Sequence, residues 1–208
     1  MKIAVYNNKG GCGKSTITSH LGFYAQEHGI DLTVIDADRQ RCTMSWLSGH
    51  NKGHGDEGYD IGSVYVTVVD KVYDSEHIIY DCPPNYDVIG TLKNEIDKWI
   101  IPIDGRFSIE GAMAVIGEIN KIADTGEIYV VVNKGIDNTF GKKERKEIRN
   151  LGIKTFYLEL LQSDVVRKSE TFGIPVWKVP YGSRSGLTQN MLLLCKWVFG
   201  GFSNKDLV

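Results

Sequence analysis

Between an apolar stretch, Lys2–Tyr6, and the start of a helical pattern lie Asn7-Asn8-Lys9-Gly10-Gly11-Cys12-Gly13-Lys14-Ser15-Thr16. Glycines at 10, 11 and 13 let the backbone curl tightly and turn its N–H groups inward onto an anion. A helix beginning near Lys14 adds the positive end of its dipole. Lys14 can then reach the β- and γ-phosphates of a nucleotide, Ser15 can ligate Mg²⁺, and Thr16 sits beside the α-phosphate. The alternative is a Gly-rich turn with exposed lysines. A strand before it and a helix after it favour the phosphate loop.

Binding phosphate is not hydrolysis, which also needs a metal and a positioned water. Two further segments place acids at strand ends. One is Val34-Ile35-Asp36-Ala37-Asp38-Arg39-Gln40, in which one of the two aspartates could simply cap the helix that follows. The other is His77-Ile78-Ile79-Tyr80-Asp81-Cys82-Pro83-Pro84, a Walker B pattern in which Asp81 holds Mg²⁺ through its water shell. The proline pair frees Asn85–Gly90 to act as a switch sensing the γ-phosphate. Asp87 reads as a solvated acid or a helix cap.

The general phosphate-loop pattern wants glycine at position 8, where this chain has Asn8. The run Lys9-Gly10-Gly11-x-Gly13-Lys14-Ser15 instead resembles the deviant loop, with its extra lysine, of the ParA/MinD family of dimerising ATPases. That resemblance implies that Lys9 reaches across a sandwich dimer to the partner's nucleotide. It implies that Asp38 orients or activates the attacking water and that Asp36 supports the Mg²⁺ shell, although Arg39 stands where the family has proline. At the end of strand Ile128–Val132 a guanine reader would show N-K-x-D, but Ile136 holds the fourth position and Asp137 comes one residue late. Resemblance therefore assigns Asn133 to adenine, with Pro180 in Val179-Pro180-Tyr181-Gly182 on a second base-side loop, and ATP with Mg²⁺ as cofactors. The expected catalytic residues are Lys9, Lys14 and Asp38. The expected nucleotide contacts are Gly10, Gly11, Cys12, Gly13, Lys14, Ser15, Thr16, Asn133 and Pro180, and the expected metal ligands Ser15, Asp36 and Asp81.

The resemblance continues through Ile101-Pro102-Ile103, Ser108–Gly111, Leu161–Arg167 and Gly173–Val176, so it covers nearly the whole chain. With no N-terminal helix-turn-helix extension, the chain is most like the small plasmid-partition ParA proteins. It lacks the paired interface cysteines of related iron-sulfur reductases and of arsenical or tail-anchored-protein ATPases. The family implies a slow, Mg²⁺-dependent ATPase used as a switch: a homodimer bridged by ATP that binds nonspecific DNA and is released when a centromere-binding adaptor stimulates hydrolysis. Its place would be the cytoplasm, associated with the nucleoid when ATP is bound. A MinD-like membrane switch is the alternative, but the apolar segment Asn190–Phe199 fits a helix buried on a sheet better than an interfacial one. A metabolic amidoligase or synthetase is a third class, without a substrate pocket to point to. Lys142–Arg149 carries five basic and two acidic residues, either a DNA contact or a solvated face. Arg167, Lys168, Arg184 and Lys196 are further candidates for DNA.

The elements that must position these residues follow from 208 residues with 42% apolar and 24% charged side chains. Apolar runs alternate with helical stretches. The strands expected are Lys2–Tyr6, Leu32–Ile35, Val64–Val69, His77–Tyr80, Lys98–Ile103 and Ile128–Val132. Helices are expected at 14–27, 39–47, 86–96, 108–123, 140–150, 163–172 and 186–199. Such an order predicts an α/β fold, a doubly wound and mostly parallel sheet with helices on both faces. Its ligands bind beyond the carboxyl ends of the strands. Residues 1–208 read as a single domain of the P-loop type. Ser48–Gly58 reads as a loop whose His50 and His54 are solvated rather than metal ligands. The net charge of −2 excludes a generally basic nucleic-acid coat, so DNA would need a local patch. Four cysteines without a C-x-x-C pair fit a reducing compartment. Cys12 fills the variable loop position, either open to thiol reagents or simply small enough to fit. Cys42, Cys82 and Cys195 read as structural. No apolar run is long enough to span a bilayer, so no stable membrane insertion is expected.

Overall fold

The strand Leu32–Asp36 (β2) is buried at all five positions and His77–Asp81 (β5) at its last four. Strands covered on both faces have no solvent side to alternate with, which is why their sequences are continuous apolar runs. The computed structural model describes residues 1–49, 57–68, 73–85, 87–92, 94–104, 109–122, 126–133, 150, 155–160 and 164–200. The other strands are Lys2–Val5 (β1), Gly58–Ile61 (β3), Val64–Thr67 (β4), Lys98–Asp104 (β6), Glu127–Asn133 (β7) and Thr155–Leu160 (β8). They form one eight-stranded sheet among the described residues, ordered β3-β4-β2-β5-β1-β6-β7-β8. Every pairing is parallel except β3 with β4.

Helices cover both faces, as the sequence predicts. Ile3 and Val5 of β1, Val34 of β2 and Tyr129 and Val131 of β7 point to one face. There they pack against Lys14–His28 (α1), Cys42–Leu47 (α2) and the C-terminal helix Gly186–Val198, which contributes Leu187, Met191, Leu194, Trp197 and Val198. Ala4, Tyr6, Ile35, Tyr80, Val130 and Val132 point to the other face, with Ile89 and Leu92 of Asp87–Leu92 (α3) and Val115, Ile116 and Ile119 of Ile109–Ile122 (α4). In chain order α5 is Asp164–Phe172, and the C-terminal helix is α6.

The strand edges set what the sequence reading missed. β3 is absent from the expected list, yet β3 and β4 are joined by the two residues Gly62-Ser63, with Gly62 at φ 69°. A left-handed glycine between two runs of strand formers is a hairpin signal. β8, Thr-Phe-Tyr-Leu-Glu-Leu, was likewise missed although it is rich in strand-forming side chains. Residue 69 of the expected strand Val64–Val69 and most of the expected helix 140–150 lie outside the described residues. The helix expected from residue 39 begins at Cys42, because Arg41 takes a left-handed conformation (φ 50°) and donates its N–H to the Asp38 carbonyl.

The packing gives one stability prediction. Gly173 follows α5 at φ 61°, and a Cβ there would lie 2.3 Å from the backbone Cα of Gly49. Backbone cannot rotate aside as a side chain can. Gly173→Ala should therefore lose about 2 kcal/mol or more of unfolding free energy, read as a lower urea midpoint.

Candidate functional site

The parallel register builds the site. Val5, the last residue of β1, pairs with Asp81, and Asp81 pairs with Asp36. Because β5 lies between β1 and β2, the phosphate loop and both carboxylates emerge side by side at the carboxyl end of the sheet.

Gly11 and Gly13 take φ values of 74° and 98°, which L side chains rarely adopt, so the curl of the loop depends on them. Asn7 braces the loop, donating from Nδ2 to the Pro102 carbonyl (2.8 Å) and accepting the Lys9 N–H at Oδ1 (3.0 Å). The Lys9 carbonyl accepts from both Lys14 Nζ (3.1 Å) and Cys12 Sγ (3.3 Å). α1 starts with no side-chain cap and no acidic residue in its first turn. Its first N–H groups are thus left to face an anion. Gly10, Gly11, Gly13, Lys14, Ser15 and Thr16 line a cleft of about 290 Å³, closed on other sides by Asp38, Gln40, Cys42, Trp46, Pro84 and Glu170.

Asp81 is fully buried. Its Oδ2 accepts the Thr43 hydroxyl at 2.6 Å, while its Oδ1 is buried without a hydrogen-bond partner. Burial raises its pKa, against the pull of the Thr43 and Ser15 hydroxyls and the Lys14 charge. Asp36 accepts the Met44 N–H at 2.9 Å and the Asp38 N–H at 3.3 Å. Burial first, and then the charge of Asp81, push its pKa up to about 7. An orphaned carboxylate oxygen beside a serine hydroxyl suits a hard cation that takes oxygen ligands. No group of three or more His, Cys, Asp or Glu is arranged as a metal cage among the described residues. Mg²⁺ in phosphate sites takes only one or two carboxylates from a protein and keeps the rest of its shell for waters and phosphate oxygens. Ser15, Asp81 and Asp36 are the side chains that fit it.

Both aspartates of the Asp36–Asp38 turn also serve the backbone. Asp36 holds the first turn of α2, and Asp38 Oδ1 accepts the Gln40 N–H at 3.0 Å. The capping alternative thus applies to Asp36 alone, since Gln40 lies ahead of the helix; Asp38 closes the turn before it and lines the cleft. Lys9 is half-buried beside it. Asn133 ends β7 opposite Asp104 in the strand register, and Pro180 is exposed in a turn outside the cleft lining. Asp87 opens α3, where Asn85 Oδ1 accepts its N–H. His50, His54 and Lys142–Arg149 lie outside the described residues, whereas Arg167, Lys168, Arg184 and Lys196 are exposed.

Cys12, Cys82 and Cys195 are buried, but Cys42 is exposed at the start of α2 and lines the cleft, so its reading as structural is corrected. Trp46 and Glu170 were not expected at the site. No local motif marks them, since α2 and α5 reach the loop only through tertiary packing. The apolar face of α6 is spent on the sheet, as its sequence suggests.

The chain matches, over residues 3–176, the CobQ/CobB/MinD/ParA nucleotide binding domain. It belongs to that family, whose ParA and MinD members are ATPases, and ATP with Mg²⁺ is the cofactor pair the comparisons support. The maintenance of carboxysome distribution protein A of Halothiobacillus neapolitanus is 29% identical over 110 residues, 49% of this chain and 49% of that protein. The chain thus matches about half the length of this curated relative. Among solved structures, the septum site-determining protein MinD of Pyrococcus horikoshii with Mg-ADP superposes with a TM-score of 0.73 at 19% identity, covering 96% of both chains. A plasmid partition protein of Borrelia burgdorferi bound to AMPPNP gives 0.71 at 18% identity, covering 93% of this chain and 97% of that one.

The buried carboxylates predict a pH effect. The unfolded chain releases the Asp36 proton near pH 4 and the folded protein near 7, so stability from this group falls as pH rises through that window. In metal-free buffer Asp36→Asn should raise the melting temperature at about pH 8, and the gain should shrink towards pH 5. A gain that did not change with pH would contradict the burial argument.

Proposed function

We propose that the protein is an ATP-driven dimerisation switch for DNA partition, holding nonspecific DNA as the ATP dimer and releasing it on slow, partner-stimulated hydrolysis. The observation that carries this reading is the joining, at one sheet end, of the two-lysine phosphate loop with Asp38 and the buried Asp36–Asp81 pair. A plasmid partition protein among the structural neighbours and the carboxysome-distribution relative support a role in placing cargo. The burial of the α6 apolar face argues against a membrane-inserting helix there. The polypeptide forms one domain, acting in the cytoplasm and associating with the nucleoid in its ATP form.

In this reading Lys14 leaves the Lys9 carbonyl for the β- and γ-phosphates, and the glycine loop and α1 present N–H groups to them. Ser15, Asp81 and Asp36 would hold Mg²⁺, which when bound would supply positive charge to the phosphates. Asp38, at the cleft, orients the attacking water. Lys9, fixed at its backbone by Asn7, reaches the nucleotide of a second subunit. Asn133 and Pro180 flank the base. A centromere-binding adaptor shortens the life of that dimer.

Retention of nonspecific duplex DNA should require ATP, fail with ADP or without nucleotide, and vanish in Lys14→Ala. DNA retention indifferent to nucleotide would sink the switch. Lys9→Ala should bind ATP as a folded monomer yet show, by light scattering, ATP-dependent dimerisation weakened about tenfold or more. An unchanged dimer would remove the cross-subunit role. Asp38→Ala should bind ATP and turn it over at least about a hundredfold more slowly, measured as phosphate release.

A further inference from the structure

Behind the cleft sits a fully buried imidazole that the chemistry above does not use. His20 lies on α1, one turn beyond Thr16, and its solvent exposure is 0%. Its Nδ1 is 2.6 Å from the Thr16 carbonyl. Its Nε2 accepts the backbone N–H of Val176 at 3.2 Å. The Ser169 hydroxyl, which also donates to the Ile174 carbonyl, stands 3.4 Å from the same nitrogen.

These partners fix the proton. A backbone N–H can only donate, so Nε2 carries a lone pair; a carbonyl can only accept, so Nδ1 carries the hydrogen. The ring is therefore neutral and in one tautomer. Burial agrees, lowering the pKa of His20 to about 4. The ring edge is closed in by Trp46, Trp177 and Phe23, with centroids at 5.3, 5.7 and 6.2 Å.

The connections lead to the cleft wall. Trp46 donates its indole N–H to the Ser169 carbonyl at 3.1 Å. Ser169 is buried, and its neighbour Glu170 lines the cleft together with Trp46. Thr16, at the other end of the imidazole, lines the cleft from the phosphate loop. One ring thus bridges both walls: the first turn of α1 on one side, and α5 with the Val176–Lys178 turn on the other. Trp177 and Lys178 of that turn also bind Glu27 further along α1, at 2.8 and 2.6 Å.

We infer that His20 is a positioning residue, a neutral Nδ1–H imidazole that clamps the wall bearing Trp46 and Glu170 to the phosphate loop and so sets the width of the nucleotide cleft. The inference rests on the reading of that cleft as a nucleotide site. Thr16 alone could be held by any short donor at position 20. Holding Val176 as well needs an acceptor at the far edge of a ring, which is what the imidazole adds.

The test combines a spectroscopic signature with two partial replacements. In ¹⁵N spectra of labelled wild-type protein, the His20 resonances, identified by their loss in His20→Gln, should show Nδ1 protonated and Nε2 bare. That pattern should persist from about pH 8 to about pH 5.5, where a solvated histidine would have charged. His20→Phe keeps the ring and removes both bonds; it should bind ADP about tenfold more weakly than wild type. His20→Gln places an amide oxygen where Nε2 lies and should recover most of that affinity. His20→Asn reaches only Thr16 and should recover little. An Nε2-protonated ring, a folded His20→Phe with wild-type ADP affinity, or equal rescue by Asn and Gln would each overturn the clamp. If His20→Phe fails to fold, the spectra and the Gln–Asn comparison still decide. Wild-type protein that binds no ADP would instead overturn the nucleotide reading, while the spectra would still report on the imidazole bridge.

Discussion

The register across three neighbouring parallel strands governs this molecule. Val5, Asp81 and Asp36 stand at one level, and everything chemical is hung from that level. A slip of one residue in β5 would turn Asp81 to the opposite face of the sheet, where its neighbours are the apolar side chains over α3 and α4. The register is protected by burial. Ile3, Val34 and Ile79 contribute to one core, and Ala4, Ile35 and Tyr80 to the other, so neither face tolerates exchange. Burying such side chains stabilises by about 1.5–3 kcal/mol each, which exceeds the cost of confining two carboxylates nearby only because many act together.

Much of the site was legible because phosphate binding is local. Its glycines, lysines and hydroxyl occupy consecutive positions, and a strand and a helix bracket them. Asp36, Asp38 and Asp81 were legible because acids ending apolar runs are conspicuous. What stayed hidden depends on contacts between distant segments. Trp46 reaches the cleft through an indole bond to Ser169, 123 residues away, and no spacing rule anticipates that. His20 looked like one more residue of an ordinary helix, since its role comes from Val176, 156 residues on. The edge strand β3 was within reach of sequence reasoning, because Gly62-Ser63 had the composition of a tight turn. It is only four residues long and starts where the Gly-rich stretch Ser48–Gly58 ends, so it offers little pattern of its own.

The two faces of the sheet divide the labour. The face of α3 and α4 gathers apolar side chains such as Ile35, Ile89, Ile101 and Val115 into its core. The other carries His20, Thr18, Ser19, Thr43 and Ser169 among its buried residues, and it is the face on which the cleft opens. Polar groups buried there are mostly satisfied by backbone, as with Thr18 donating to the Lys14 carbonyl at 3.1 Å. Such bonds are directional where apolar contacts are not, and they give the first turns of α1 a defined orientation against their neighbours.

The bond from Lys14 to the Lys9 carbonyl makes ligand entry an exchange instead of a simple addition. An incoming anion must replace a neutral acceptor that already satisfies part of the ammonium, while the Cys12 thiol can go on donating to that carbonyl. A singly charged species that touches the lysine alone gains little from that trade. A polyphosphate chain, which engages the ammonium, the loop amides and the helix start at once, gains from all three. The loop therefore works as a threshold filter, discriminating by the number of simultaneous contacts a ligand can make, and common monovalent anions in the surrounding solution compete poorly for it.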